Sequence, residues 1–104
     1  MTPVMIYVTA SGVEEAKKIG RALVEDRLAA CANVIPTIDT IYHWQGKVVE
    51  EREAALILKT TEDKVPAVVA QVRALHSYAC PCVVSLPIVD GHKAFLDWIA
   101  AETA

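Results

Sequence analysis

Residues 28–60, LAACANVIPTIDTIYHWQGKVVEEREAALILKT, decide how this chain folds. In the first arm, residues 32–44, the apolar side chains of one face recur with a period of two, which is typical of a β-strand. That face consists of Val34, Ile38, Tyr42 and Trp44. The chain then turns at residues 45–47, Gln-Gly-Lys, so the sequence predicts two long strands folded back on each other.

The return arm has a charged beginning, which we expect to be exposed to solvent, and an apolar end, which we expect to be buried. It starts at Val48, passes through the charged residues 50–53 and ends in the apolar run of residues 54–58. Each arm is about 13 residues long, against roughly 5–6 for an ordinary strand, so we expect the hairpin to protrude from a small body. The aromatic side chains of Tyr42 and Trp44 near its tip then need a surface to pack against. We predict that another subunit supplies that surface.

Pro36 interrupts the periodic pattern of the first arm. Proline has no backbone N–H to donate to a neighbouring strand, so it is confined to sheet edges and to β-bulges. The sequence therefore predicts either an unpaired side or a bulge at this point of the hairpin.

The segment before the hairpin reads as a strand followed by a helix. Residues 3–9 form a short apolar run that suits a buried strand. A helical stripe begins at about Val13, after a capping-box pattern formed by Ser11 and Glu14.

The segment after the hairpin repeats the same alternation. A second helical stripe covers residues 65–76, residues 81–89 form another apolar strand, and Asp90 is placed to cap a last helix. The predicted order is βαββαβ with an added C-terminal helix, an α+β fold of the split βαβ type.

The composition indicates one small and unusually apolar protein. The 104 residues have room for one domain, which we place at residues 1–104, and 54% of them are apolar. So much apolar material in a small domain favours an oligomer. The formal net charge of −3, without a cluster of Lys and Arg, argues against a nucleic-acid partner.

Three features bear on the cellular compartment. No apolar run reaches the roughly 20 residues that cross a bilayer, and the first residues lack the parts of a signal peptide. The three cysteines, Cys31, Cys80 and Cys82, are an odd number, and the last two are too close for an ordinary disulfide. We therefore expect a cytosolic protein with no membrane partner, whose cysteines are thiols or ligands.

His76, Cys80 and Cys82 are the strongest candidates for a metal site. Imidazole and thiolate groups in the spacing His-x3-Cys-x-Cys suit Zn²⁺ or Cu⁺. The residues leave an alternative open, in which His76 ends a helix, Cys80 is a loop thiol and Cys82 packs in the core. Cys31, at the start of the hairpin, is better explained by packing than by ligation.

Several segments spread along the chain share a further pattern. They are residues 27–36, residues 42–47 with Glu50, residues 58–60, residues 76–78, and residues 86–88 with Gly91, Trp98 and Ile99. In order and over nearly the whole chain, they closely resemble the CutA divalent-cation tolerance family. The resemblance implies a ferredoxin-like βαββαβ fold, a homotrimer joined through its extended strands, and an architecture similar to that of PII-type signalling proteins.

The resemblance also implies a function. The family is associated with copper and other divalent metals. We therefore expect a cytosolic trimer that binds copper or another cation such as zinc, needs no organic cofactor and contributes to metal ion tolerance. The chain departs from the family pattern at Ala79 and Cys82, where members usually carry carboxylates. The alternative function is a PII-like small-molecule sensor that uses the cleft between subunits.

Polar and aromatic residues are candidates to line that cleft. They are Cys31, Tyr42, Trp44, Glu50, Lys59, Tyr78 and Trp98. Large aromatic residues are also enriched at subunit interfaces, and charged residues at strand ends are commonly solvated, so packing roles stay open for them. We predict no catalytic residue and no enzyme, because the sequence has no nucleophile elbow, no glycine-rich phosphate loop and only scattered histidines.

Overall fold

The computed structural model describes residues 2–104, and within them the strands and helices follow the predicted order. Four strands, three α-helices and one 3-10 turn form in this part of the chain. Their bounds are β1 Pro3–Ala10, α1 Val13–Glu25, β2 Cys31–Trp44, β3 Lys47–Thr61, the 3-10 turn Glu62–Lys64, α2 Val65–Leu75, β4 Val83–Pro87 and α3 Lys93–Glu102.

The four strands form one antiparallel sheet in the order β2-β3-β1-β4. The central strands β1 and β3 pair along the whole of β1, from Pro3 opposite Thr61 to Ala10 opposite Ala54. Strand β4 pairs with the other edge of β1, and β2 pairs with the outer edge of β3. A βαββαβ chain with this strand order has the ferredoxin-like fold, so the predicted fold class is confirmed.

One face of the sheet is covered by α1 and α2. Alternate residues of β1 and β3 are buried there against the inward residues of both helices, namely Val4, Ile6, Val8, Ala16, Ile19, Leu23, Leu56, Leu58, Val68 and Val72. Helix α3 contacts β3 and β1, and because their helix-covered face is already occupied, α3 lies against the opposite face. Ile99 of α3 is fully buried there. We call this opposite side of the sheet the second face.

A β-bulge divides the long hairpin into an inner and an outer part. The register of β2 against β3 shifts by one residue between Ile35 and Ile38. Pro36 and Thr37 of β2 therefore lie opposite the single residue Ala54 of β3. Both features predicted at Pro36 occur, because β2 is an edge strand of the sheet and is also bulged at this point.

The bulge overturns the prediction that Val34 shares a face with Tyr42 and Trp44. Side chains alternate between the two faces of a strand, so one extra residue reverses the face of every residue beyond it. Val34 packs against the core under α1. Tyr42 and Trp44, together with Ile38, point to the second face, as their register with β3 requires. The prediction was wrong because the period of two was counted straight through Pro36.

The outer part of the hairpin protrudes from the body, as predicted. Strand β1 ends opposite Ala54, so beyond that residue β2 and β3 pair only with each other. The turn at Gln45 and Gly46 has φ angles of +50° and +80°, the positive values of a type I′ turn, whose twist matches that of the flanking strands. Gly46 adopts its angle without strain because it has no Cβ. The molecule is 44 Å long and 22 Å across its shortest dimension.

The start of α1 lies where predicted, but its capping differs. Gly12 is the N-cap residue of α1 and makes no side-chain cap. Ser11 donates hydrogen bonds from its backbone N–H and its hydroxyl to the carboxylate of Glu15. The predicted partner Glu14 is exposed instead, so the capping-box prediction was wrong by one residue.

The chain after α2 is also more irregular than predicted. Strand β4 covers only Val83–Pro87, shorter than the predicted run of residues 81–89. Asp90 accepts a hydrogen bond from the N–H of Gly91, and the N-cap residue of α3 is His92. None of the helices in the described part of the chain is long and apolar enough to cross a membrane.

Gly20 lies where α1 comes closest to the sheet. A Cβ at this position would lie 3.1 Å from Ala32 Cβ and 3.1 Å from Leu56 Cδ1. We predict that Gly20→Val lowers the free energy of unfolding by about 2–3 kcal/mol, because overpacking displaces neighbours in a dense core. Urea denaturation measures the change. The matched control is Gly12→Ser, since no atom lies within 4 Å of a Cβ at Gly12. Equal stability of the two variants would contradict the prediction.

Candidate functional site

A cleft of about 680 Å³ opens where the hairpin leaves the body of the protein. The outer hairpin forms one wall, and the loop between α2 and β4 forms the other. The lining residues are Thr9, Thr40, Tyr42, His43, Trp44, Glu51, Glu53, Tyr78, Ala79, Cys80 and Cys82. The volume is in the range that small ligands occupy in proteins.

Two tyrosine–glutamate pairs stand in this cleft. The Tyr42 hydroxyl donates to Glu51 Oε1 at 2.7 Å, and the Tyr78 hydroxyl donates to Glu53 Oε2 at 2.8 Å. The hydrogen bond to Glu51 raises the pKa of Tyr42. Burial, followed by the hydrogen bond to Glu53 and the nearby negative charges, raises the pKa of Tyr78 far above its usual value. Both tyrosines are therefore protonated donors, and both glutamates are acceptors.

Glu53 is the buried carboxylate of the cleft. Only 6% of its surface is exposed, and Tyr78 is its one hydrogen-bond donor among the described side chains. Arg52, its neighbour in the chain, points to the other side of the hairpin and pairs with Asp39 at 3.6 Å. None of the ion pairs between residues 2 and 104 includes Glu53 or Glu51. The cleft thus contains a buried carboxylate with a hydrogen bond but no counter-ion from the described residues.

The imidazole of His76 is held by a backbone group on each of its nitrogens. Nε2 lies 2.7 Å from the carbonyl oxygen of Thr9, and because a carbonyl only accepts, Nε2 carries the proton. Nδ1 accepts the backbone N–H of Tyr78 at 3.0 Å. The side chain is fully buried, with its ring centroid 4.7 Å from that of Tyr78. His76 therefore positions Tyr78 beside Glu53.

Glu15 ties the start of α1 to the same loop. Its carboxylate accepts the N–H of Ser11 at 3.0 Å, the hydroxyl of Ser11 at 3.1 Å and the N–H of Ser77 at 2.8 Å. Burial by itself raises the pKa of Glu15, but the hydrogen bonds from Ser11 and Ser77 outweigh it and lower the pKa to about 2. The ionised carboxylate of Glu15 thus fixes the loop that carries His76 and Tyr78.

The low pKa of Glu15 makes the stability of the protein sensitive to acid. The pKa is about 2 in the folded chain against 4.5 for an ordinary glutamate, so the stabilisation is complete above pH 4.5 and is lost as the pH falls towards 2. We predict that Glu15→Gln lowers the free energy of unfolding at neutral pH by about 2–3 kcal/mol. The variant also flattens the decline of stability in acid, which chemical denaturation at a series of pH values measures.

The matched control for this prediction is Glu14→Gln. Glu14 is the neighbouring residue of α1, is exposed, and makes no side-chain hydrogen bond to Ser11 or Ser77. The Glu14→Gln substitution is expected to leave both the free energy of unfolding and its pH dependence nearly unchanged. If Glu15→Gln and Glu14→Gln gave the same pH profile, the assigned role of Glu15 would be wrong.

Of the three predicted metal ligands, Cys80 and Cys82 come to the cleft together. Cys80 is exposed, Cys82 is half-buried, and both line the cleft. Neither ring nitrogen of His76 is free to bind a metal, because Nε2 is hydrogen-bonded to the carbonyl of Thr9 and Nδ1 to the N–H of Tyr78. Within residues 2–104 no group of three or more His, Cys, Asp and Glu side chains is arranged to hold a metal ion. A site formed by His76, Cys80 and Cys82 requires rearrangement of His76 and stays a prediction.

The predicted cleft residues divide into two groups. Tyr42, Trp44 and Tyr78 line the cleft of one chain. Cys31, Glu50, Lys59 and Trp98 do not contribute to its lining. Their predicted place in a cleft between subunits stays a prediction.

The residues of the second group lie apart from the cleft for identifiable reasons. Cys31 and Lys59 pair at the far end of the β2–β3 ladder, where the Lys59 ammonium donates to the side chain of Asn33. Trp98 packs on α3 against Phe95, with ring centroids 5.4 Å apart. Glu50 lies one residue before Glu51 on β3, and it therefore points to the opposite face.

Sequence reasoning missed the two glutamates of the site. Glu51 and Glu53 fall in the charged part of the return arm, which we expected to be solvated. The spacing of Glu51 and Glu53 was a usable signal, because residues two apart on a strand point to the same face. Thr40 lies opposite Glu51 in the register, and this pairing follows only when the bulge is counted.

The chain is similar in sequence to several divalent-cation tolerance proteins. The family model described as CutA1 divalent ion tolerance protein matches residues 4–102. The divalent-cation tolerance protein CutA of Thermus thermophilus is 44% identical over 99 residues, which are 95% of this chain and 96% of the relative. The protein of the same name from Archaeoglobus fulgidus is 46% identical over 94 residues, covering 90% of this chain and 91% of the relative.

Solved structures agree with the sequence similarity. A structure from Archaeoglobus fulgidus, described as a periplasmic divalent cation tolerance protein CutA, has a TM-score of 0.95 and 41% identity, covering 98% of this chain and 99% of its own. CutA from Xylella fastidiosa has a TM-score of 0.96 at 33% identity, covering 100% of both chains.

Proposed function

Since the chain belongs to the CutA divalent-cation tolerance family, we propose that it is a cytosolic homotrimer that binds copper or another cation such as zinc and contributes to metal ion tolerance. The observation that carries the binding role is the presence of two thiols, Cys80 and Cys82, at one cleft. No catalytic step belongs to the proposal, in keeping with relatives that are named as tolerance proteins rather than as enzymes.

The proposed metal ligands are the thiolates of Cys80 and Cys82. Thiolate sulfur prefers soft ions, so the copper form that suits the site is Cu⁺, with Zn²⁺ as the alternative. Cys80 is exposed, which gives an ion access from solvent. His76 joins the site only if its ring leaves Thr9 and Tyr78, and these two hydrogen bonds favour a site formed mainly by sulfur.

Calorimetric titration of the reduced protein with Cu⁺ and with Zn²⁺ tests the metal site. We predict that Cys80→Ser combined with Cys82→Ser weakens binding at least about 100-fold, or about 2.7 kcal/mol, because both sulfur ligands are lost. Cys31→Ser, at the far end of the hairpin, is the matched control and is expected to bind as the unmodified chain does. Binding that survives the double substitution would overturn the site. A loss of the same size in His76→Ala would instead make His76 a ligand.

The surface of one chain supports the proposed trimer. Strands β2 and β4 are the two edges of the sheet, and each leaves backbone groups without a strand partner. Large apolar residues are exposed on the hairpin and near β4, among them Ile41, Trp44, Val48, Val84, Leu86 and Val89. Pairing these edges with other copies would satisfy the backbone groups and cover the apolar residues together.

Light scattering after size-exclusion chromatography tests the assembly. We predict a mass of three times 11.3 kDa at micromolar concentration. Combining Ile41→Asp with Val48→Asp is expected to shift the mass towards one chain, because burying a carboxylate in an interface costs several kcal/mol. Lys17→Asp, on the solvated side of α1, is the control and should leave the mass unchanged. A monomeric mass for the unmodified chain would contradict the trimer.

The cytosolic location matters for the chemistry of the site. The chain has three free cysteines, which fits a reducing compartment. The Archaeoglobus fulgidus relative is described as periplasmic. In an oxidising compartment Cys80 and Cys82 would be exposed to oxidation, and thiolate ligation of metal would compete with it.

The cleft supports a second function, that of a PII-like small-molecule sensor. A concave site of about 680 Å³ with aromatic walls and a few oriented polar groups is typical of small-ligand pockets. Hydrogen bonds to Glu51 and Glu53 orient Tyr42 and Tyr78 within one chain. The two functions use different parts of the cleft and are separable by experiment.

A further inference from the structure

The loop between α2 and β4 brings two thiols to one side of the chain. Cys80 and Cys82 both line the cleft, and β4 begins directly after them at Val83. A residue that precedes a proline prefers extended backbone, and residues two apart in an extended segment point to the same side. Pro81, between the two cysteines, therefore favours an arrangement in which both sulfur atoms reach the same ion.

The described residues offer these two thiols no third partner for a metal ion. Within residues 2–104 no group of three or more His, Cys, Asp and Glu side chains is placed to hold one. Both ring nitrogens of His76 are hydrogen-bonded to backbone groups. Glu51 and Glu53 line the cleft, but each accepts a hydrogen bond from a tyrosine. A metal ion bound by the two thiols therefore has two ligands from this part of the chain.

Three contacts hold the beginning of the same loop in place. His76 is hydrogen-bonded to a backbone carbonyl of β1, Ser77 donates its backbone N–H to a carboxylate of α1, and Tyr78 donates its hydroxyl to a carboxylate of β3. A buried hydrogen-bonding group that loses its partner costs about 1–3 kcal/mol. Bringing the ring of His76 to the ion would break the first of these contacts, so the anchored loop favours a site of two ligands.

The number of ligands separates the cations that the thiols are able to bind. Structural Zn²⁺ sites use four ligands, and catalytic ones use three protein ligands and a water. Mg²⁺ and Ca²⁺ need about six oxygen ligands. Cu⁺ prefers sulfur, and because it has a filled d shell and a single charge, two thiolates are enough to form a stable complex with it. A pair of thiolates without a third ligand therefore suits Cu⁺ better than any of these divalent ions.

We propose that Cys80 and Cys82 form a two-coordinate Cu⁺ site that discriminates against Zn²⁺ and other divalent cations. Each sulfur binds as a thiolate, so loading one Cu⁺ releases the protons of the two thiols. The inference rests on the proposed metal-binding function and names the ion that the site selects. Relatives are named for tolerance of divalent cations, and the thiol pair of this chain selects a monovalent one instead.

Competition titrations of the reduced full chain, without oxygen, test the selectivity. Bicinchoninate competes for Cu⁺, and a chromogenic zinc chelator competes for Zn²⁺. We expect Cu⁺ to bind at least about 1,000-fold more tightly than Zn²⁺, because sulfur prefers Cu⁺ and Zn²⁺ lacks half of its usual ligands. Equal affinity for the two ions would overturn the inference and leave the metal-binding function intact. The absence of binding by either ion would overturn both.

Single substitutions test whether two ligands make up the whole site. A two-coordinate ion needs both sulfurs, so Cys80→Ser and Cys82→Ser are each expected to weaken Cu⁺ binding at least about 100-fold, nearly as much as the double substitution. A site with further ligands would instead lose affinity in steps. Cys31→Ser is the matched control and should bind Cu⁺ as the unmodified chain does, since Cys31 does not line the cleft. Near-normal Cu⁺ affinity in either single variant of the cleft would overturn the inference.

X-ray absorption at the copper edge counts the ligands without any substitution. The expected spectrum of the unmodified protein, loaded with one Cu⁺ per chain, has two sulfur neighbours and no imidazole nitrogen. This readout does not depend on whether a variant folds. A nitrogen neighbour from His76 or His43, or a third sulfur from another copy of the chain, would overturn the two-coordinate site.

Discussion

The one-residue bulge at Pro36 and Thr37 is the constraint on which the geometry of the site depends. It lies opposite Ala54, the residue at which β1 ends and the hairpin loses its third strand. Without the bulge, Tyr42 and Trp44 would share a face with Val34 and would point to the side of the sheet that α1 covers. With the bulge, both aromatic side chains point to the second face, as Glu51 and Glu53 of β3 do. The cleft therefore depends on the one extra residue that β2 has at the bulge relative to β3.

Proline and the bulge fit each other physically. Pro36 has no N–H to donate, and proline within a sheet is confined to edge strands and to bulges. A bulge removes that position from the ladder. It also increases the local twist, which turns the outer hairpin relative to the inner part. The bulge at Pro36 therefore turns Tyr42 towards the loop that carries Tyr78.

Much of the fold followed from local patterns in the sequence. The turn at Gln45 and Gly46, the protruding hairpin and the order of helices and strands all depend on residues close together in the chain, and the structure agrees with them. The face of Tyr42 did not follow, because Pro36 is compatible with an edge strand with or without a bulge, and the bulge is what shifts the register. The short β4 also escaped prediction, since an apolar run does not show where pairing with β1 ends.

The site was less predictable because it depends on contacts between distant residues. The His-x3-Cys-x-Cys spacing identified a segment that does reach the cleft, but spacing does not show whether a ring nitrogen is free. The carbonyl that engages His76 belongs to Thr9, 67 residues earlier in the chain. Glu53 was interpreted as solvated for the same reason, since its burial depends on Tyr78, 25 residues later.

The two walls of the cleft carry side chains of different ligand chemistry. Cys80 and Cys82 offer polarisable sulfur, which selects soft metals, on the loop wall. Glu51 and Glu53 offer oxygen on the hairpin wall, but each accepts a tyrosine hydrogen bond that occupies a lone pair a metal would need. The thiols of Cys80 and Cys82 are therefore better suited than the two carboxylates to bind a metal ion, although all four groups line the same cleft.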